Sequence, residues 1–167
     1  VFATKEFMSR VRGGVNSTTI RIASRRVTAY REKIDILIPL HRDALSHLGD
    51  RVSKDTVVIG EKEKIEYVPM IDVPLTKMAA EMGDSVYANI IATGMIAGLF
   101  RIDEATCLDF IAGYFGKKDE EIRGKNVVAA QKGLEIGLGL RGEITIEIGK
   151  NPVVAGEIMV TGAEAVA

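Results

Sequence analysis

Residues 34–40 read Ile-Asp-Ile-Leu-Ile-Pro-Leu, a short and dense apolar run. A run of this kind is typical of a strand covered on both faces, as in a parallel or mixed sheet between helices. Residues 17–23 alternate around two isoleucines and residues 56–59 are β-branched throughout, so a strand is predicted on each side of the run. A short helix is predicted over residues 41–48. The first half of the chain is therefore predicted to supply the sheet.

The second half of the sequence changes to helical periodicity. Apolar residues recur at three- and four-residue spacing over residues 85–100, 103–115 and 118–136, which predicts three helices. Ser85 and Asp103 are predicted to cap the first two. Gly94 and Gly98 stand four residues apart, so their helix face is predicted to pack tightly against another element. The predicted fold class is α/β, a three-layer sandwich of a mostly parallel or mixed sheet with helices on both faces.

Composition excludes several classes of protein. The chain has 167 residues, 47% of them hydrophobic, enough for a sizeable globular core. Its 22 basic and 23 acidic residues nearly cancel, which argues against nucleic acid or an anionic membrane as a partner. No apolar run approaches the length of a membrane span. Cys107 is the only cysteine, which excludes an internal disulfide and an iron–sulfur cluster held by this chain alone, and a reducing, cytoplasmic setting is expected.

One segment has the residue types of an anion site, namely Arg10, Arg12, Gly13, Gly14 and Asn16. Arginines recognise anions in a bidentate manner, and paired glycines let backbone N–H groups approach a ligand closely. The alternative is a glycine turn between strands with solvated arginines. Residue types and spacing alone favour that alternative, because the motif is short and degenerate.

The remaining polar candidates are weaker. Asn89 is predicted on a helix, where it fits a ligand or subunit contact as well as an ordinary structural one. His41 and His47 stand six residues apart, which is not a helical metal-ligand spacing. Cys107 is predicted to be a small buried hydrophobe. We therefore predict no catalytic residue and no metal ligand in this chain.

Three segments form a combination that is more specific than any one of them. They are Phe-Met-Ser-Arg-Val-Arg-Gly-Gly-Val-Asn-Ser-Thr-Thr-Ile-Arg-Ile-Ala-Ser at residues 7–24, the apolar run at residues 34–40, and Ala-Asn-Ile-Ile-Ala-Thr-Gly at residues 88–94. Together they resemble the gamma domain of 2-oxoacid:ferredoxin oxidoreductases. Residues 160–167, Val-Thr-Gly-Ala-Glu-Ala-Val-Ala, resemble the start of the alpha, pyrimidine-binding domain of the same enzymes. The resemblance implies a gamma domain over residues 1–137, followed by a linker and the start of the alpha domain over residues 138–167, as in the 2-oxoglutarate-type enzymes.

This resemblance implies a reaction that the chain serves only as part of a complex. Such enzymes decarboxylate a 2-oxoacid with thiamine diphosphate and magnesium, pass electrons through iron–sulfur clusters to ferredoxin, and transfer the acyl group to coenzyme A. The thiamine signature, Gly-Asp-Gly followed by Asn-Asn, is absent here. The chain alone is therefore expected to be inactive and to bind none of these cofactors. Its implied partners are the alpha and beta thiamine domains and, through the complex, ferredoxin; homo-oligomerisation is left open.

In this family the gamma domain is associated with the coenzyme A side of the site. The resemblance therefore implies a cofactor-binding role for Arg10, Arg12, Gly13, Gly14, Asn16 and Asn89. Family members also begin with a strand and a glycine-rich loop ahead of the segment seen here, so the sheet is expected to lack both. Two other interpretations stay open: a scaffold that joins subunits and binds no ligand, and a nucleotide-binding Rossmann-like module. Against the latter counts the lack of a GxGxxG directly after a predicted strand, since the glycines with that spacing, at residues 137, 139 and 142, follow a predicted helix.

Overall fold

The computed structural model describes residues 1–7, 15–144, 149, 152–154, 157 and 160, and the chain divides into two units. The first unit comprises residues 1–33 and 147–167, and the second comprises residues 34–146. The first contains β1 (Phe2–Phe7), β2 (Asn16–Arg21) and a 3-10 turn at Pro152–Val154. The elements of the second are β3 (Ile36–Leu37), α1 (Ala44–Leu48), β4 (Val57–Gly60), β5 (Ile71–Asp72), α2 (Leu75–Glu81), α3 (Ala88–Leu99), α4 (Glu104–Tyr114) and α5 (Glu120–Leu140).

The first unit is built on an antiparallel ribbon, in which Phe2 pairs with Arg21 and Phe7 with Asn16. The sequence predicts β2 as a strand of the same sheet as β3 and β4, and this is wrong: β2 pairs with β1 in a separate sheet. The reason lies in its composition, Asn-Ser-Thr-Thr-Ile-Arg, whose one large apolar side chain, Ile20, is 52% exposed. A strand this polar cannot be covered on both faces, as a parallel sheet requires.

The second unit contains a parallel sheet in the order β3-β4-β5. β3 pairs with the first half of β4, through Ile36 with Val57, whereas β5 pairs with its second half, through Ile59 with Ile71. β4 begins and ends one residue later than the predicted residues 56–59. β3 is much shorter than the predicted residues 34–40, because Pro39 has no N–H to donate to a neighbouring strand.

The sheet separates two apolar cores, as the alternation of side chains along a strand requires. Ile36, Ile59 and Ile71 belong to one core, together with residues of α2, α3 and α5. Leu37 and Val58 point to the other, where they pack with Leu48 of α1. Helices thus cover both faces, and the predicted α/β fold is confirmed.

The three long helices lie where periodicity predicts them, with corrections at their ends. Asp103 caps α4 as predicted, because its carboxylate accepts a 2.9 Å hydrogen bond from the backbone N–H of Thr106. The predicted cap at Ser85 is wrong: the carboxylate of Asp84 accepts from the N–H of Val86 at 2.9 Å, and a 3-10 turn at Ser85–Tyr87 precedes α3. α5 continues to Leu140, four residues beyond its predicted end. α2 is a helix that was not predicted from the sequence.

Glycines bring α3 and α5 into backbone contact. Gly94 and Gly98 of α3 face the main chain of α5, where a Cβ at Gly94 would lie 2.9 Å from the carbonyl carbon of Ala130. Gly133 and Gly137 of α5 face α3 in the same way. The tight packing predicted for Gly94 and Gly98 is confirmed, and two further glycines on the partner helix make the contact reciprocal.

The guanidinium of Arg141, just after α5, strengthens the same contact. Its Nε donates to the carbonyl oxygen of Gly98 at 2.9 Å, and its Nη2 donates to the same oxygen. That oxygen lies in the last turn of α3, where carbonyl groups lack partners within the helix and cations are favoured. Arg141 therefore fastens the end of α5 to the end of α3.

Candidate functional site

The segment predicted to bind an anion lies mostly outside the described residues. Asn16 is described: it is the first residue of β2, is exposed, and pairs with Phe7 at the end of β1. Arg10, Arg12, Gly13 and Gly14 belong to residues 8–14, which the structure does not describe. In the sequence these residues lie between β1 and β2. Their role as ligands stays a prediction.

The first 33 residues have an excess of positive charge that the whole-chain balance conceals. Over residues 1–33 the sequence has eight basic residues and two acidic ones, whereas the remaining residues have fourteen basic and twenty-one acidic. The basic residues of this stretch are Lys5, Arg10, Arg12, Arg21, Arg25, Arg26, Arg31 and Lys33. A local excess of this size attracts anions even when the protein as a whole is close to neutral. This signal is present in the sequence but is lost when charges are counted over the full length.

One of these basic residues, Arg21, makes a structural hydrogen bond. The Nη1 of Arg21 donates to the carbonyl oxygen of Ala29 at 2.9 Å, which ties the end of β2 to the segment that follows it. Arg25 and Arg26 lie between these two residues and are exposed. The described part of the unit therefore presents cationic side chains to solvent on a segment anchored to the ribbon.

Asn89 lies in the second unit, at the second position of α3. Its side chain is exposed. Its backbone carbonyl oxygen accepts a 2.9 Å hydrogen bond from the hydroxyl of Thr93. Thr93 is also exposed, whereas Gly94 and Gly98 are buried against α5. Asn89 thus lies on a face of α3 that is turned away from α5, accessible to a ligand or a partner. Its predicted binding role stays a prediction.

The carboxyl end of the parallel sheet, where α/β folds bind many ligands, is closed by the protein's own side chains. Glu61 follows β4 directly, and its Oε1 accepts hydrogen bonds from the backbone N–H and the hydroxyl of Thr76, at 2.7 and 2.6 Å. Thr76 lies in the first turn of α2. The Nζ of Lys64 donates to the same hydroxyl and lies 3.4 Å from Oε2 of Glu61. The glutamate therefore caps α2 from outside the helix.

A second bond holds the neighbouring strand end. The backbone N–H of Lys62 donates to Oδ1 of Asp72 at 3.0 Å, which joins the loop after β4 to the end of β5. Gly60 permits this arrangement, because a Cβ there would lie 3.1 Å from the ring of Pro39 and 3.3 Å from the sulfur of Met70. The polar groups at this edge are thus paired with each other, and we assign them a structural role.

Replacing Glu61 with alanine is expected to lower the free energy of unfolding by about 1 to 2 kcal/mol, because Thr76 loses the acceptor for its N–H. Glu61→Gln is expected to lose less, since its amide oxygen can still accept that hydrogen bond. Glu63→Ala removes an exposed glutamate two residues away and is expected to change stability by less than about 0.5 kcal/mol. Urea unfolding of the three variants measures the ranking, and equal losses at positions 61 and 63 would contradict the assigned role.

The described residues hold no group of three or more histidine, cysteine or acidic side chains that could bind a metal ion. Cys107 is buried between α3 and α5 side chains, as predicted, beside Ala97 and Leu134. Burial raises the pKa of its thiol, which disfavours the reactive thiolate. Within the part of the chain that the structure describes, no helix is long and apolar enough to cross a membrane.

A comparison with protein-family models identifies the chain. The model described as pyruvate ferredoxin/flavodoxin oxidoreductase matches residues 1–136. The chain belongs to this family. It is a domain of the oxoacid:ferredoxin oxidoreductase type, as the sequence resemblance indicates. A search of curated proteins gave no match.

Two solved structures of oxidoreductases share the fold. A 2-oxoglutarate:ferredoxin oxidoreductase from Magnetococcus marinus, solved with 2-oxoglutarate, coenzyme A and succinyl-CoA bound, aligns with a TM-score of 0.75 over 98% of this chain at 20% identity. The chain spans 30% of the length of that protein chain. The gamma subunit of a keto/oxoacid ferredoxin oxidoreductase from Geobacter sulfurreducens aligns with a TM-score of 0.60 at 18% identity, over 83% of this chain and 80% of that one.

Proposed function

We propose that this oxidoreductase domain is of the gamma type and serves a thiamine diphosphate-dependent oxidoreductase of the 2-oxoglutarate class. In such a complex a 2-oxoacid is oxidatively decarboxylated to an acyl-CoA, and electrons pass to ferredoxin. The similarity in fold to the Geobacter gamma subunit supports the domain type, and the similarity to the Magnetococcus enzyme supports the substrate class. Activity requires the thiamine domains of the alpha and beta type, which are the proposed partners, in the cytoplasm where ferredoxin is found.

The part we assign to this domain is to hold the anionic end of coenzyme A. The observation that carries this assignment is the excess of eight basic over two acidic residues in the first 33. Coenzyme A carries phosphate groups, and arginine pairs with phosphate through two parallel hydrogen bonds. We assign these contacts to Arg10 and Arg12, with the backbone N–H groups of Gly13 and Gly14, while Asn16 supplies a neutral hydrogen bond. Asn89, in the other unit, is proposed separately as a cofactor-binding residue.

The other cofactors belong to other parts of the complex under this proposal. Thiamine diphosphate would supply the electron sink for decarboxylation, with magnesium holding its phosphates. The described residues contain no group of three histidine, cysteine or acidic side chains that could hold the magnesium ion. The single cysteine cannot hold an iron–sulfur cluster, whose irons are ligated by several thiolates. We therefore assign this chain a binding and orienting role in the complex.

Replacing Arg12 with alanine in the assembled complex is expected to raise the KM for coenzyme A by about 10- to 100-fold, because one charge-assisted contact to phosphate is lost. The KM for the 2-oxoacid is expected to stay unchanged, since that substrate reacts elsewhere. Steady-state kinetics with each substrate varied in turn measure both values.

Lys77→Ala is the matched control, because it removes one exposed positive charge from α2 in the second unit. Its KM for coenzyme A is expected to equal that of the unchanged complex. A normal coenzyme A response in Arg12→Ala would overturn the assignment and favour a scaffold that joins catalytic subunits. A loss confined to the melting temperature would lead to the same conclusion.

A further inference from the structure

The antiparallel ribbon of the first unit has one face that is exposed along its whole length. Residues opposite each other in an antiparallel pair point to the same face, and side chains alternate between the two faces along each strand. Three pairs of exposed residues share a face by this rule, and we call their surface the ribbon face. It consists of Phe7 with Asn16, Lys5 with Thr18, and Ala3 with Ile20.

The opposite face of the ribbon differs in burial and in charge. Phe2 and Thr4 lie there and are half-buried. Glu6, the only acidic residue of the two strands, lies there as well, and it accepts a 3.1 Å hydrogen bond from the hydroxyl of Ser17. The ribbon face therefore carries the ammonium of Lys5 with no acidic side chain beside it. Within the described residues, Lys5 forms no ion pair.

The ribbon face presents three kinds of side chain in a fixed order. The ring of Phe7, 66% exposed, lies opposite the amide of Asn16, at the end where residues 8–14 join the strands in sequence. The ammonium of Lys5 comes next, and the side chain of Ile20, 52% exposed, comes last. A strand rises about 3.4 Å per residue, so these three rows extend over about 14 Å. The face thus offers an aromatic ring, a cation and an apolar patch in succession.

This order matches the order of groups in coenzyme A. That molecule consists of an adenosine with a phosphate on its ribose, then a diphosphate, and then a long arm that ends in the thiol. Aromatic side chains stack on nucleobases, and cations pair with phosphate oxygens. Asn16 belongs both to the ribbon face and to the coenzyme A contacts assigned above, so the ribbon face is continuous with that site.

We propose that the ribbon face binds the nucleotide half of coenzyme A, with the adenine ring stacked on Phe7, the diphosphate paired with Lys5 and the start of the arm packed against Ile20. This inference rests on the proposed function and adds three residues that were not predicted from the sequence. It also gives the ligand a direction. The adenosine lies at the end of the ribbon where residues 8–14 join the strands, and the thiol arm extends toward the opposite end.

Steady-state kinetics of the assembled complex, with coenzyme A varied, test the proposal. Phe7→Ala is expected to raise the KM for coenzyme A about 5- to 100-fold, because the adenine loses the ring on which it stacks. Phe7→Tyr keeps a ring and is expected to stay within about twofold of the unchanged complex. Lys5→Ala is expected to raise the KM about 3- to 10-fold through the lost phosphate contact. The KM for the 2-oxoacid is expected to stay the same, since that substrate reacts elsewhere.

Competition by ADP separates the nucleotide contacts from those of the arm, because ADP has the adenine ring and a diphosphate but no arm. ADP is expected to inhibit in competition with coenzyme A. Its inhibition constant is expected to rise in Phe7→Ala and in Lys5→Ala by the same factors as the KM. Ile20→Ala is expected to raise the KM for coenzyme A about 2- to 5-fold and to leave the inhibition constant of ADP unchanged.

Matched controls lie in the second unit. Phe110→Ala removes a phenylalanine that is 67% exposed, and Lys77→Ala removes an exposed lysine; both are expected to leave the KM for coenzyme A unchanged. An unchanged KM in Phe7→Ala or in Lys5→Ala overturns the proposal, as does a lack of competition by ADP. A loss of subunit assembly in Phe7→Ala, with a normal KM in the complex that does form, also overturns it and assigns the face to a subunit contact.

Arg12→Ala in the same experiment distinguishes this proposal from the proposed function. A raised KM for coenzyme A in Arg12→Ala together with a normal KM in Phe7→Ala would exclude the ribbon face alone and leave the coenzyme A assignment in place. Normal values in both variants would overturn the two proposals together.

Discussion

Replacing Gly133 with alanine is expected to lower the free energy of unfolding by about 3 kcal/mol, the upper end of the usual range for an overpacked core. The added Cβ would lie 2.7 Å from the backbone nitrogen of Met95 and 2.9 Å from the carbonyl carbon of Ile91. Both atoms belong to the main chain of α3, so no side chain can turn away to make room. The two helices must separate, which also weakens the contacts around Gly94 and Gly98. The melting temperature is expected to fall by roughly 6 to 12 °C.

Gly124 provides the matched control, because it lies on the same helix with no atom within 4 Å of its Cβ position. Gly124→Ala is expected to raise stability by about 0.5 to 1 kcal/mol, since alanine restricts the unfolded chain and favours helix. Thermal and urea unfolding of both variants measure the difference. If the two substitutions changed stability in the same direction, the backbone contact between α3 and α5 would not exist as described.

Replacing Ile59 with alanine is expected to lower the free energy of unfolding by about 2 to 5 kcal/mol. Ile59 is fully buried in the central strand β4, where it packs in the core that α2, α3 and α5 close. Truncation removes apolar contacts and leaves a cavity that the short strands β3 and β5 cannot fill by moving together. Ile59→Val deletes a single methylene, and its expected loss is about 0.5 to 1.5 kcal/mol.

The same substitution at Ile20 is the control for loss of an isoleucine side chain, since Ile20 lies on the exposed face of the ribbon. Ile20→Ala is expected to change stability by less than about 0.5 kcal/mol. Urea unfolding gives the order of the three variants. A loss at position 20 as large as that at position 59 would show that the ribbon, and not the parallel sheet, holds the principal core.

Sequence patterns predicted the parts of the fold where periodicity extends over several turns. The repeats of α3, α4 and α5 are long enough to show their buried faces, and the apolar runs of β3 and β4 are dense enough to indicate a covered sheet. β5 has only two residues, Ile71 and Asp72, so it carries no periodicity. α2 has seven residues, which is fewer than two full helical turns. The N–H of Thr76 in its first turn is capped by Glu61, fifteen residues away. No local pattern encodes such a cap.

The candidate binding residues were predicted from residue type. The structure describes the surroundings of two of them, Asn16 and Asn89. β1 ends at Phe7 and β2 begins at Asn16, and the arginine and glycine segment lies between them in the sequence. The excess of basic residues in the first 33 positions can be counted in the sequence, but the net charge of the whole chain is close to zero and does not reveal it. The role of Glu61 was not accessible in advance, because only the fold brings β4 and the first turn of α2 together.

The reciprocal glycines of α3 and α5 also limit which second substitutions can compensate for a mutation at their contact. In an ordinary core, an enlarged side chain can be accommodated by a smaller neighbour at a second position, because the two share a volume. Here each glycine meets peptide groups of the opposite helix, and a peptide group cannot be made smaller by any substitution. A substitution at Gly133 or Gly137 therefore cannot be compensated by a smaller side chain nearby. A second mutation that restores stability must either return the glycine or stabilise the protein at a remote site. The four glycines at this contact are consequently constrained by the backbone opposite them, so the helix pair can change its sequence there only at the cost of its packing.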